Sequence, residues 1–455
     1  MSRVGVAISA LGLFLGSMAV AWGAPVGNGS PGRPRHHATP ARRARRPPLF
    51  RVQDIEDPGH KGLRRLFQQL ACLQDRRSPK VVRLAHYGDS IVAGDRVTSA
   101  ARQVLQARFG DAGHGYLLVR SPTKYYHRQG VRVWRNKYWR LASFLYRYLK
   151  NGHYGYAGAL TWSINPGALA TFRVKKEGTM GGRVSRVRVY YDQRARGGWL
   201  KVSVGRVALG RVSTRGLPGR GGVQTIAFPE TSRRLRLEHG GGGVVRLYGL
   251  SLERSGPGVV VDGLGMVSTS FGNLLKLPTK HWHRQLRQRQ VSAVLFQYGA
   301  NASDMRKLTE VWYRRMVNKV LERLGRARPR ISCLVVGPVD RGYSWYRSKK
   351  SRPVMRRISA WQRATALANG CAFWDSLAAQ GSRGAARRWY RARPSLMWRD
   401  LTHLTPDGAA VVGRLLAQAL LRAYDRFRKK LGLAACPRNP RTHEGLHRDR
   451  RARKK

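Results

Sequence analysis

The chain has 455 residues, of which 42% are apolar, so it has material for two or three units with real cores and is excluded from the wholly disordered class. Its 87 Lys and Arg against 23 Asp and Glu give a formal charge of +64, which attracts polyanions and says little about fold. The four cysteines lack the paired spacing of a zinc module, and no metal site is expected.

Arg3 opens the chain, and an apolar run from Val4 to Val20 follows. Ala21-Trp22-Gly23 then offers small residues where a signal peptidase reads. This pattern predicts a secretory signal peptide over 1–23, cleaved after Gly23. The run is shorter than the roughly 20 residues that span a bilayer. No later segment is apolar enough, so no integral membrane segment is expected after cleavage. The expected location is periplasmic or secreted. Nucleic acid is therefore not an expected partner, and an anionic envelope polymer is. In an oxidising compartment Cys72, Cys333, Cys371 and Cys436 can pair in three ways. Cys333 and Cys371 each fall in a predicted strand, which favours that pair.

Residues 24–50 are rich in Pro, Arg, Gly and His and read as a disordered basic linker. Val81 to Ala85 is a short apolar run ending in Gly88-Asp89-Ser90, and Val97, Ala101, Val104, Leu105 and Phe109 then follow helical spacing. From about Gly158 to Glu253, short alternating runs are separated by Gly-rich turns, among them Val187 to Tyr191, Leu200 to Val204 and Val244 to Tyr248. This predicts an all-β sandwich over 158–254, inserted into an α/β domain made of 51–157 and 255–436. In the second part, Val291 to Phe296 and Ile331 to Val336 read as strands. Leu308 to Leu324 reads as a helix with its stop at Gly325. Thr405-Pro406-Asp407 caps a last helix, with Pro in its first turn. Strands alternating with helices predict a parallel sheet covered on both faces. Residues 437–455 form a basic tail.

Three segments carry candidate chemistry. Ser90 stands at the end of a predicted parallel strand, where such sheets place ligands; alone, it reads more readily as a helix cap. Asn301, in Gln297-Tyr298-Gly299-Ala300-Asn301, also follows a strand and can point an amide N–H at a developing oxyanion. Asp400 and His403 share one short loop, where a carboxylate can hold an imidazole in its working tautomer. His281-Trp282-His283 lacks a third ligand at a diagnostic spacing. Val259 to Met266 lacks the third glycine of a dinucleotide loop.

Together, in this order, the segments resemble the GDSL/SGNH hydrolases, with Gly-Asp-Ser early, Gly-x-Asn in the middle and Asp-x-x-His before the last helix. The stretch His86 to Thr98 resembles the first block of bacterial exported members. The resemblance covers about Val81 to Tyr424. It implies an α/β fold, an SGNH-type three-layer parallel sheet flanked by helices, carrying the inserted all-β sandwich. It also implies a serine esterase with Ser90 as nucleophile, His403 as base and Asp400 as its orienter. The oxyanion hole would be formed by Ser90, Gly265 and Asn301, and no cofactor would be needed. At Gly265 the chain departs from the pattern, because Val267 stands where many relatives carry Asn. The inserted sandwich resembles that of peptidoglycan O-acetylesterases. The implied substrate is an acylated glycan, and the reaction hydrolysis of an O-acyl, chiefly O-acetyl, ester. Lys124 to Lys150 interleaves bases with Tyr125, Tyr126, Trp134, Tyr138, Trp139, Phe144, Tyr146 and Tyr148, which suits either sugar stacking or packing at a junction. The alternatives are an O-acetyltransferase or lipid esterase of the same fold, and a non-catalytic protein that binds a polyanion or glycan.

Overall fold

Val81 to Gly88 is buried at every position but the first, as a strand is when helices cover both faces of its sheet. The structure, a computed structural model, describes residues 49–77, 80–175, 182–230, 233–327, 331–343, 352–382 and 384–436. The expected signal peptide, nearly all of the linker and the basic tail lie outside them.

The elements run α1 (Arg64–Gln74), β1 (Val81–Gly88), α2 (Ser90–Ala93), α3 (Arg96–Phe109), β2 (Gly113–Leu117), β3 (Val131–Arg135), β4 (Arg140–Ser143) and β5 (Ala159–Ser163). Next come β6 (Leu169–Val174), β7 (Arg186–Asp192), β8 (Trp199–Val204), β9 (Val207–Ser213), β10 (Gly221–Ala227), β11 (Arg234–His239), β12 (Val245–Glu253) and β13 (Gly258–Gly265). The chain continues through α4 (Phe271–Leu274), α5 (Thr279–Arg289), β14 (Val291–Gln297), α6 (Glu310–Gly325), β15 (Ser332–Val336) and α7 (Val354–Ala368). It closes with β16 (Ala372–Trp374), α8 (Ser376–Ala379), α9 (Ala385–Arg391) and α10 (Pro406–Leu431).

β13, β1, β14, β15 and β16 form one parallel sheet in that order. Alternate residues supply two separate cores. Leu84, Val261 and Leu295 pack with α1, α3 and α10, whereas Tyr87, Leu264 and Phe296 pack with α5, α6 and α7. The three layers are thus as expected. α10 begins where the sequence places it: the Thr405 hydroxyl accepts from the Gly408 N–H at 3.2 Å and Pro406 follows the cap. Gly265 and Gln297 flank Gly88 in register, so three strand ends lie side by side.

The antiparallel strands form two sheets, β10-β7-β12-β5-β4, with β2 also on β12, and β3-β6-β11-β8-β9. Val189 and Leu247 of the first and Val202 of the second fill the space between them. The pairing starts earlier than the expected 158: β2 pairs with β12, and β3 and β4 join one sheet each. These strands are short, and β3 exposes Arg132, Val133 and Trp134 in a row, which hides the alternation that marks a half-buried strand. The disulfides are Cys333–Cys371, as favoured, and Cys72–Cys436. Of the interleaved rings, Tyr126, Trp139 and Phe144 are buried, and Tyr125, Trp134, Tyr138, Tyr146 and Tyr148 are exposed.

Candidate active site

Ser90 is the first residue of α2, directly after β1. The turn is built by Asp89, whose Oδ1 accepts from the Ile91 N–H at 3.1 Å and caps the short helix. Gly88 is required by space, since a Cβ there would lie 2.3 Å from Val92 Cγ2 and 2.8 Å from the Gln297 carbonyl oxygen. Beneath the turn, buried Asp95 binds Arg102 and Arg128 and accepts from the Gln129 N–H. Buried His86 lies 3.1 Å from Thr98 Oγ1. The residues around Ser90 in its sequence block are therefore the foundation of the turn.

Asp400 and His403 meet across one tight turn. Leu401 takes φ +52°, a conformation rare for a side chain of its size, and folds the loop back. One oxygen of Asp400 accepts the backbone N–H groups of Thr402 and His403, each at 2.9 Å. The other lies 2.6 Å from His403 Nδ1. An ionised carboxylate only accepts, so Nδ1 carries the proton and Nε2 keeps its lone pair in the neutral imidazole. The hydrogen bond to Asp400 raises the imidazole pKa above its ordinary value, against burial, and the charges of Asp400 and Asp89 add to the rise. Burial works against ionised Asp400, but the bonds from the His403 side chain and the two N–H groups hold its carboxyl below the usual range. Both side chains are 47% exposed.

Asp89, beside Ser90, and His403 act on one another's charge. Burial pushes the Asp89 carboxyl up to about 6, while the Ile91 N–H, the charge of His403 and the Ala300 N–H work against the rise. Direct hydrogen bonding between the Ser90 hydroxyl and the imidazole is absent among the described residues.

Asn301 opens a short 3-10 helix beyond β14 and donates one amide N–H to the Thr269 carbonyl at 2.8 Å, leaving its second N–H for another acceptor. Thr269 in turn donates to the Met266 carbonyl. Gly265 ends β13 opposite Gly88, and a Cβ there would come within 2.3 Å of the Ala93 nitrogen in α2. The glycine thus lets the strand end close on the helix that begins with Ser90. The stretch with the superficial look of a dinucleotide loop is strand nearly throughout. His281 and His283 each place Nε2 2.7 Å from a backbone carbonyl.

Sequence reasoning missed Arg341. It lies in the loop after β15, and its Nε donates to Thr402 Oγ1 at 3.0 Å. Its Nη1 reaches the Ala300 carbonyl and Ser303 Oγ, both at 2.9 Å, and Asp304 Oδ2 at 2.6 Å. Arg352 braces Asp304 from the other oxygen at 2.7 Å. One guanidinium therefore ties the Asn301 segment to the Asp400–His403 loop. The available signal was its place just beyond a parallel strand, where such sheets gather their functional groups.

No family model matches the chain, and no curated protein does. A solved peptidoglycan O-acetylesterase resembles it at a TM-score of 0.67 and 18% identity, over 82% of this chain and 99% of that one. A likeness that long takes in both the parallel core and the inserted sheets, and at this identity it shows the fold. A family two carbohydrate esterase from Cellvibrio japonicus (11% identity, 65% of this chain, 98% of that one) reaches a TM-score of 0.28. A GDSL-like lipase from Bacteroides thetaiotaomicron (14% identity, 36% and 76%) reaches 0.25.

Proposed function

From a fold of the SGNH/GDSL hydrolase type with a carboxylate-held imidazole beside a serine turn, we propose that this chain is an exported serine esterase. Its substrate is an acylated envelope glycan such as peptidoglycan, from which it releases the acyl group, chiefly acetate. The observation that carries the reading is the Asp400–His403 bond at 2.6 Å, in a fold whose parallel strand β1 ends just before Ser90.

In this mechanism Ser90 Oγ attacks the ester carbonyl as His403 Nε2 takes its proton. The carbonyl oxygen becomes an oxyanion, held by the backbone N–H groups of Ser90 and Gly265 and by the second N–H of Asn301. Collapse breaks the bond to the sugar oxygen, which receives the proton from His403. Water, deprotonated by the same imidazole, then attacks the acyl-enzyme and frees the carboxylic acid and Ser90. The half-exposed base leaves room for water as the acceptor. Two disulfides suit a periplasmic or secreted setting.

The test is acetate release from O-acetylated peptidoglycan and from a small aryl acetate. Ser90→Ala and His403→Ala should each lower turnover roughly a thousandfold or more, because nucleophile and base act as a unit. Activity that survives in Ser90→Ala removes the mechanism. Release from the aryl ester alone keeps the esterase and discards the glycan. Acetyl groups found on an added sugar, with little free acetate, would make it a transferase.

A further inference from the structure

The outer face of the β3-β6-β11-β8-β9 sheet is a strongly basic surface remote in sequence from Ser90 and His403. Arg132 on β3 stands opposite Arg173 on β6, which stands opposite Arg234 on β11. All three are exposed, and none forms an ion pair with a described residue. Like charges directly opposite one another destabilise a sheet. Nothing in the packing of the sandwich needs them, since the inward positions of the same strands are Val131, Phe172 and Leu235. The five strands contain one carboxylate, Glu238, and it is engaged by Arg236 at 3.3 Å.

In the next row Trp134 faces Thr171, and Thr171 faces Arg236. The indole is 57% exposed and lines clefts on two sides, of about 750 and 390 Å³. The larger also takes in Lys124, Arg132 and Arg135, the smaller Arg234 and Arg236.

We propose that this face docks an acidic polysaccharide, a glycan with a carboxylate on its repeating sugars. This deepens the reading above, because it names a second contact between the protein and an envelope polymer. Strands lie about 4.8 Å apart, so the arginine row offers one cation per strand at a pitch close to the length of one sugar residue. A guanidinium pairs with a carboxylate through two parallel N–H donors. An open indole face takes the apolar side of a pyranose ring. Single-stranded nucleic acid also uses bases and rings together, but the two disulfides belong to a compartment without it. The face also lacks the apolar side a helix would lay into a bilayer surface.

Binding is measured on full-length protein carrying Ser90→Ala, with polygalacturonate as the probe, so the result does not depend on catalysis. The R132Q/R173Q/R234Q combination should weaken binding roughly tenfold or more and flatten its salt dependence. Removing three exposed cations elsewhere, R65Q/R414Q/K429Q, should change it less than about twofold, as a diffuse charge would. Trp134→Ala should weaken polygalacturonate binding about threefold or more and leave polyglutamate binding unchanged, since only the sugar has a ring to stack. Thermal unfolding and near-UV circular dichroism confirm that each variant is folded. Equal loss in the two triple variants, or no binding by the parent, overturns the proposal. So does loss of binding to oligo(dT) or to anionic vesicles while polygalacturonate binding is retained.

Discussion

The proposed chemistry turns on which nitrogen of His403 holds the proton. Asp400 fixes it at Nδ1, and the same contact raises the imidazole pKa above its ordinary value. A base must be neutral, so activity should be lost as pH falls through that raised pKa. In Asp400→Asn the rise disappears, and the acid limb of kcat/KM should move to lower pH while kcat drops about 10³–10⁴-fold. The pH profile with an aryl acetate measures both, and an unmoved acid limb would mean that Asp400 does not set the charge of the base. Ser90, Asn301, Asp400 and His403 are all legible in the sequence as candidates, because each belongs to a short local motif whose geometry is set within a few residues. Gly265 is harder. Its role follows from the close approach of α2, a contact between segments far apart in the chain.

Loops at the ends of parallel strands act here as a set, and Arg341 is what joins them. It bonds the Ala300 carbonyl and Asp304 on one side and Thr402 on the other, so removing it frees the Asn301 segment from the Asp400–His403 loop. Arg341→Ala should lower kcat/KM about 10–100-fold, the usual penalty for a small misplacement of reacting groups. Its charge also holds the His403 pKa down. The acid limb should therefore move to higher pH, opposite to Asp400→Asn, and Arg341→Lys should restore part of that shift. A loss of rate with no shift would leave Arg341 with packing alone. Of the elements, the parallel strands and their helices can be read from apolar runs and caps, and β7, β8 and β12 from alternation. β2, β3 and β4 cannot, because they are short and, in β3, basic and aromatic residues on the solvent side interrupt the period. No local pattern reveals a bond between Arg341 and a threonine in a distant loop.

At the scale of the molecule, the parallel core and the antiparallel insert are locked by one buried charge cluster. Arg289, on α5 and fully buried, binds Asp262 of β13 through two bonds of 2.8 Å and also Glu253 of β12. Arg83 of β1 holds the other oxygen of Glu253 at 2.7 Å. Replacing one member leaves buried charge without a partner, so Arg289→Met should cost about 3–5 kcal/mol in urea unfolding. A cost below about 1 kcal/mol would show that the two parts hold together without the cluster. The order of segments has a last consequence. Every residue of β1 finds its β13 neighbour only beyond the whole insert, and the histidine arrives just before the final helix. Synthesis therefore delivers Ser90 long before His403, the residue proposed to take its proton. If these two residues react as proposed, a chain cut before His403 keeps the hydroxyl without its base and should release no acetate.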